Sequence, residues 1–190
     1  PMGRAIAFAQ RKSIDSSAFG PIHLYRSSGV ADNVADLAKT NKNRTADHRL
    51  AQTSIPQSLT ADNRNVEGFF WSPNGQQIAY IHHLGAPDPR LKQWRLVNLE
   101  EWDAGRGATD NRGFNAFRAA FGMRFMLGSF SQYAQSHRFW SPDGRYLLYV
   151  DEDLDLATGI WLVDTWGPSD ARPIFIAHGS LAVWEWGQSR

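Results

Sequence analysis

The chain has 190 residues, 42% of them hydrophobic and 21% charged, with a formal net charge of +1. That balance fits a globular domain large enough to bury a real core, and it gives no electrostatic reason to expect nucleic acid as a partner. The absence of cysteine removes disulfides, thiolate metal sites and a cysteine nucleophile, and no stretch approaches the roughly 18 apolar residues that span a bilayer.

Pro1 precedes Met2, which fits a short tag remnant or a removed upstream segment, and no charged-then-apolar leader pattern opens the chain. Pro1-Met2-Gly3-Arg4-Ala5-Ile6-Ala7-Phe8 reads as a turn followed by an apolar strand. Residues 29–50 form a polar insertion with a helix-like start at Val30, Val34 and Leu37, expected as a flexible surface loop, with a partner-binding arm as the alternative. Phe69-Phe70-Trp71-Ser72-Pro73-Asn74-Gly75 reads as a short strand running into a tight turn. Pro presets φ there, and Asn followed by Gly supplies the positive φ that closes it. Ile78 to Ile81 and Gln93 to Leu99 give the second and third strands of this group, and Met123 to Leu127 are expected to supply the fourth.

Residues 100–130 are a second insertion. Phe114, Phe117, Phe121 and Phe125 recur at helical spacing with Arg112, Arg118 and Arg124 interleaved, so a basic aromatic helix is one expectation. Its partner-binding residues are Phe114, Phe117, Arg118, Phe121 and Arg124, set to dock on a protein or a membrane surface. The competing expectation makes Phe121 to Phe130 the fourth strand packed beneath a loop, because Gly113, Gly122 and Gly128 weaken a long helix.

The turn then recurs as Phe139-Trp140-Ser141-Pro142-Asp143-Gly144, with Leu147 to Val150 as its second strand. Asp151, Asp153 and Asp155 follow, alternating carboxylates of the kind that ligate calcium. The loop is not an EF-hand, since Leu156 and Leu162 stand where Gly and Glu are required. His82 and His83 open the equivalent loop of the earlier group, so the candidate metal set is Asp151, Asp153, Asp155, His82 and His83, against the plainer reading of a solvated acidic loop. Calcium is the single cofactor considered. Gly159 to Asp164 and Pro173 to Ala177 give the third and fourth strands, and Ser180 to Trp186 reads as another first strand carrying Trp184. Trp140 and Trp184 stand 44 residues apart, the length of one propeller blade of four antiparallel strands.

Trp140-Ser141-Pro142-Asp143-Gly144 and Trp71-Ser72-Pro73-Asn74-Gly75, each followed by an apolar, Tyr-containing strand, resemble the repeats of the TolB-like propeller family. Pro1-Met2-Gly3 is a weaker likeness, Val183-Trp184-Glu185 keeps the Trp, and the resemblance spans residues 1–10, 66–100 and 136–187. It implies an all-β chain of about three blade equivalents in one domain, 1–190. The first blade would cover about 1–65 with a closing strand at 181–187, the second about 66–135 and the third about 136–180. Three blades fall short of the 4–8 of a closed ring, so the expected protein partner is the rest of a larger propeller or a second copy of this chain.

The likeness implies a non-catalytic scaffold or assembly subunit in an extracytoplasmic place, periplasmic or at the cell surface. The alternatives are an accessory propeller of a prolyl-oligopeptidase-like hydrolase and a propeller that binds carbohydrate or a metal-held ligand. Neither a Gly-x-Ser-x-Gly elbow nor a His-Glu-x-x-His or phosphate-loop motif occurs, and no spacing ties His23, His48, His137 or His178 to a nucleophile, so no chemistry of its own is expected.

Overall fold

The protein is described here by a computed structural model, covering residues 5–12, 19–26, 56–61, 65–85, 88–101, 103, 112–130, 138–168 and 170–185. The insertion at 29–50 lies outside the described residues. The strands are β1 (Ala5–Arg11), β2 (Phe19–Arg26), β3 (Gln57–Ser58), β4 (Val66–Trp71), β5 (Gln77–His83), β6 (Leu91–Asn98), β7 (Arg112–Arg118), β8 (Tyr146–Glu152), β9 (Thr158–Asp164) and β10 (Ile174–His178). A helical turn, α1 (Leu99–Glu101), and a two-turn helix, α2 (Phe121–Gly128), complete them.

The chain is all-β and antiparallel. One sheet runs β1–β2–β4–β5–β6–β7 with β3 beside β2, and a second runs β10–β9–β8. Phe19 opposite Val66 is the register position that joins β2 to β4, and among the described residues neither sheet closes on itself. Strands β4 and β6 alternate buried and half-buried positions, as strands with two differently covered faces do. Strand β5 is covered on both faces, and Ile78, Ala79, Tyr80 and Ile81 are all 0% exposed. Its continuous apolar run is what such burial requires.

The repeated motif builds the same turn twice. Ser72 N donates to Gln77 O (2.9 Å), Gly75 N to Ser72 O (2.9 Å), and the Ser72 hydroxyl accepts from Gln77 N (2.9 Å) and donates to Asn74 Oδ1 (2.7 Å). Ser141 repeats this: its N donates to Tyr146 O, its hydroxyl accepts from Tyr146 N (both 2.8 Å) and donates to Asp143 Oδ1. The Asx oxygens also take the amides of Gln76 and Arg145 at 3.0 Å. Gly75 and Gly144 hold φ of 72° and 74°, which explains the invariant last residue of the motif. A Cβ on Gly144 would lie 3.4 Å from Asn74 Nδ2, so the two turns sit side by side.

Indole donors bind each repeat to the one before it. Trp140 Nε1 donates to Phe70 O (3.2 Å) and Trp184 Nε1 to Phe139 O (3.0 Å), in each case the carbonyl just before the preceding repeat's Trp. Between the sheets, Phe70 and Trp94 meet Phe139 with ring centroids 4.8 and 5.4 Å apart, and Phe117 meets Tyr149 at 4.7 Å. These are the edge-to-face and tilted contacts aromatic rings prefer.

Two expectations are corrected. The fourth strand of the second group is β7, and Met123 to Leu127 are helical. The single helix read from four phenylalanines is half strand: Gln93 and Arg95 of β6 face Ala116 and Gly113 of β7, three residues apart on β7 against two on β6. That bulge turns Phe114 and Phe117 to the same side, imitating a helical period. Among the described residues, 181–185 pair with no strand, and Trp184 Nε1 is held at Phe139 O.

Candidate functional site

After β7 the chain makes one bridge, Ala119 to Asp151, and turns into α2. Ala120 gives α2 no side-chain cap, and Ser129 N closes its far end on the carbonyls of Phe125 and Met126. Met123, Met126 and Leu127 face inward, and Phe130 packs against Phe19, Phe69 and Phe70. Gly68 of β4 permits this approach: a Cβ there would come within 3.0 Å of the Phe130 ring and 3.1 Å of Leu127. The other side of α2 is in solvent, with Phe121 72% and Phe125 58% exposed.

Beside α2 runs a groove of about 210 Å³, walled by Met123 and Met126 on one side and by Leu181 and Val183 on the other, with Phe139 and Leu148 among its lining. Leu181 and Val183 are 76% and 75% exposed. Arg138 and Ser180 are its polar margin. A trough lined by two methionines can reshape itself to an apolar occupant, and apolar exposure gathered around one concavity marks an interaction surface more often than scattered residues do.

An ionic cluster ties the two sheets together beyond the groove. Asp88 accepts from Arg90 N (2.9 Å), Arg90 Nε (3.2 Å) and Arg118 Nε (3.0 Å), while Arg90 Nη1 donates to Glu152 (3.1 Å). The Arg90 amide and guanidinium, with help from Arg118, hold the Asp88 carboxyl down at about 2. Asp151 is different. Its Oδ1 accepts the amides of Arg118 (2.7 Å) and Glu152 (2.8 Å), yet burial outweighs these bonds and raises its pKa.

The predicted site residues are therefore dispersed. His82 is buried in β5 with Nε2 3.0 Å from Gln93 Oε1, and His83 Nε2 is buried with no hydrogen-bond partner among the described residues. Asp153 folds its own loop, its Oδ1 accepting the amides of Asp155 and Ala157 at 2.9 Å. Among the described residues no three His or acidic groups gather as a metal site would need. Phe114 and Phe117 are core, 4% and 2% exposed, and Arg118 is paired with Asp88. Phe121 is on the open side of α2 and Arg124 is half-buried in the same helix.

Sequence reasoning missed Arg112. Its guanidinium donates to the carbonyls of Thr165 (3.0 Å), Gly167 (2.8 Å), Pro168 (2.5 Å) and Asp164 (3.4 Å). Burial pushes its pKa down, with Asp164 and Asp170 opposing. One side chain of β7 thus gathers the β9–β10 loop onto the first sheet.

No protein-family model matches the chain, and comparison with curated proteins gives no match. Among the described residues no helix is long and apolar enough to cross a membrane.

Proposed function

We propose that the chain is a non-catalytic, propeller-like scaffold of the TolB-like kind, and that it docks a protein partner through the groove between α2 and residues 180–183. The observation that carries this reading is the concavity lined by Met123, Met126, Phe139 and Leu148, with Leu181 and Val183 at its wall each more than half exposed. Burying such surface on a partner contributes roughly 25 cal/mol per Å², and aromatic anchors at the centre of an interface carry a disproportionate share of affinity.

The rigid aromatic packing between the sheets supports the same reading, because a docking surface is most specific when its walls are fixed. The test is selection of a displayed peptide library against the purified chain. Enriched peptides should carry an apolar anchor, and their affinity should fall at least about tenfold when Leu181 and Val183 are both replaced by Ser, a loss of about 1.4 kcal/mol or more. Absence of enrichment, or binding indifferent to those two positions, would refute the assignment.

A further inference from the structure

Strands β4 to β7 show how a complete group is covered. On one face Phe70, Trp94 and Phe117 meet the second sheet. Ile78 and Tyr80 flank Ala79, which lies opposite Phe70, so they point to the other face, where both are 0% exposed. Strand β1 corresponds to β5 through the repeat, with Ile6 at the position of Ile78 and Phe8 at that of Tyr80. There the burial fails: Ile6 is 60% and Phe8 37% exposed.

The opposite end of the molecule has the converse defect. In the second sheet the face equivalent to that of Phe70 carries Leu148, Leu162 across from it and Ile174 across from Leu162. Ile174 is 51% exposed, and Leu181 and Val183 alongside are more so. Residues 181–185 carry a first-strand Trp docked in the repeat's own manner, without a strand partner among the described residues. Among the described residues, one end thus offers a second strand with its outer edge and one face open, and the other offers a first strand and the face that would cover it.

We propose that these two ends belong together across two copies of this chain: residues 181–185 of one copy pair along β1 of the next, and its Leu148–Leu162–Ile174 face covers Ile6 and Phe8. The occupant is a second copy because the surfaces repeat an interface that each chain already makes internally, down to the register. Trp71 pairs with Ile78 and Phe70 with Ala79, so Trp184 falls opposite Ile6 and Val183 opposite Ala7. The contact is head-to-tail, and two such contacts related by a twofold axis close a ring without a free edge. The inference rests on the propeller-like reading of the repeats, and the pairing it describes shares Leu148, Leu181 and Val183 with the groove beside α2.

The chain's lack of cysteine makes the register testable. Light scattering of the unmodified protein should give twice the 21.4 kDa of one chain. Ala7→Cys and Val183→Cys, prepared separately, mixed and oxidised, should form a disulfide between the two kinds of chain, because directly opposed strand residues lie within disulfide reach. Val183→Cys mixed with Ile22→Cys, a buried β2 control, should not. A monomeric mass overturns the proposal, as does a disulfide that forms within one doubly substituted chain at monomer mass, which would make the slot self-filled. A monomer that still binds groove-selected peptides sinks this pairing alone, whereas a monomer that binds none sinks the docking reading with it.

Discussion

Replacing Ser72 by Ala removes a single oxygen atom, and the structure specifies what that oxygen holds. Ser72 is 3% exposed; its hydroxyl accepts the amide of Gln77, itself 8% exposed, and orients Asn74, which in turn takes the amide of Gln76. Without the hydroxyl, the Gln77 N–H at the start of β5 is buried without its acceptor. A buried donor left unsatisfied costs about 1–3 kcal/mol, so the expected loss is about 2 kcal/mol. In a domain of this size that lowers Tm by about 4–8 °C.

Urea denaturation followed by tryptophan fluorescence reads the loss directly. Three companions isolate the cause. Ser141→Ala removes the same acceptor from Tyr146 N and should cost a similar amount. Pro73→Ala disturbs the same turn without removing a hydrogen bond, and its effect should stay within the ~0.4–1 kcal/mol of a changed unfolded-state entropy. Asn74→Asp writes the other copy's residue into this one and should lie within about 0.5 kcal/mol of the parent, as surface substitutions do. A Ser72→Ala loss below about 0.5 kcal/mol, or no larger than that of Pro73→Ala, would mean the hydroxyl network does not hold the repeat together.

Gly144→Ala and Gly75→Ala should cost similar amounts, about 1–2 kcal/mol each in thermal melts, since both glycines hold positive φ while an added Cβ meets only ordinary contact with Asn74 at 3.4 Å in the first case and nothing within 4 Å in the second. Arg112→Lys keeps the charge but loses the fork that spans several carbonyls, so an expected loss of about 1.5–3 kcal/mol and faster amide exchange at residues 164–167 would report release of that loop. Asp151→Asn retains an oxygen for the two amides and removes a carboxylate whose pKa burial has raised. A raised carboxyl gives its full stability below the unfolded value near 3.9 and loses it as pH rises through the folded pKa. The Asn variant should therefore be more stable than the parent at pH 7, with the gain fading in melts below about pH 4, and a variant less stable at pH 7 would contradict this.

What could be read from the sequence was local. The Ser-Pro-Asx-Gly turn is legible because its own hydrogen bonds close within five residues, from Ser72 to Gln77 and from Ser141 to Tyr146. Arg112 left no such trace. Its acceptors are main-chain carbonyls 52 to 56 residues away, and carbonyls are the same in every residue type. Asp153 is ambiguous for a related reason: a carboxylate that caps its own loop and one that binds calcium are the same letter, and here its Oδ1 accepts the amides of Asp155 and Ala157.

The four phenylalanines of the second insertion carry the most instructive ambiguity. Spacings of three and four residues place side chains on one side of a helix, but a bulged strand does the same for one pair. Phe114 and Phe117 use the bulge and enter the core, while Phe121 and Phe125 use the helix and stay in solvent. The pattern therefore announced an apolar surface without dividing it between core and exterior. Division came from the tertiary structure: Gly68 lets Phe130 and Leu127 approach β4, which fixes the inward side of α2 and leaves Phe121 and Phe125 outside. The opposite wall of the groove comes from residues 180–183, positioned by an indole bond to Phe139 across 45 residues. A site assembled by that route has its residue types written in the sequence and its geometry written in the packing.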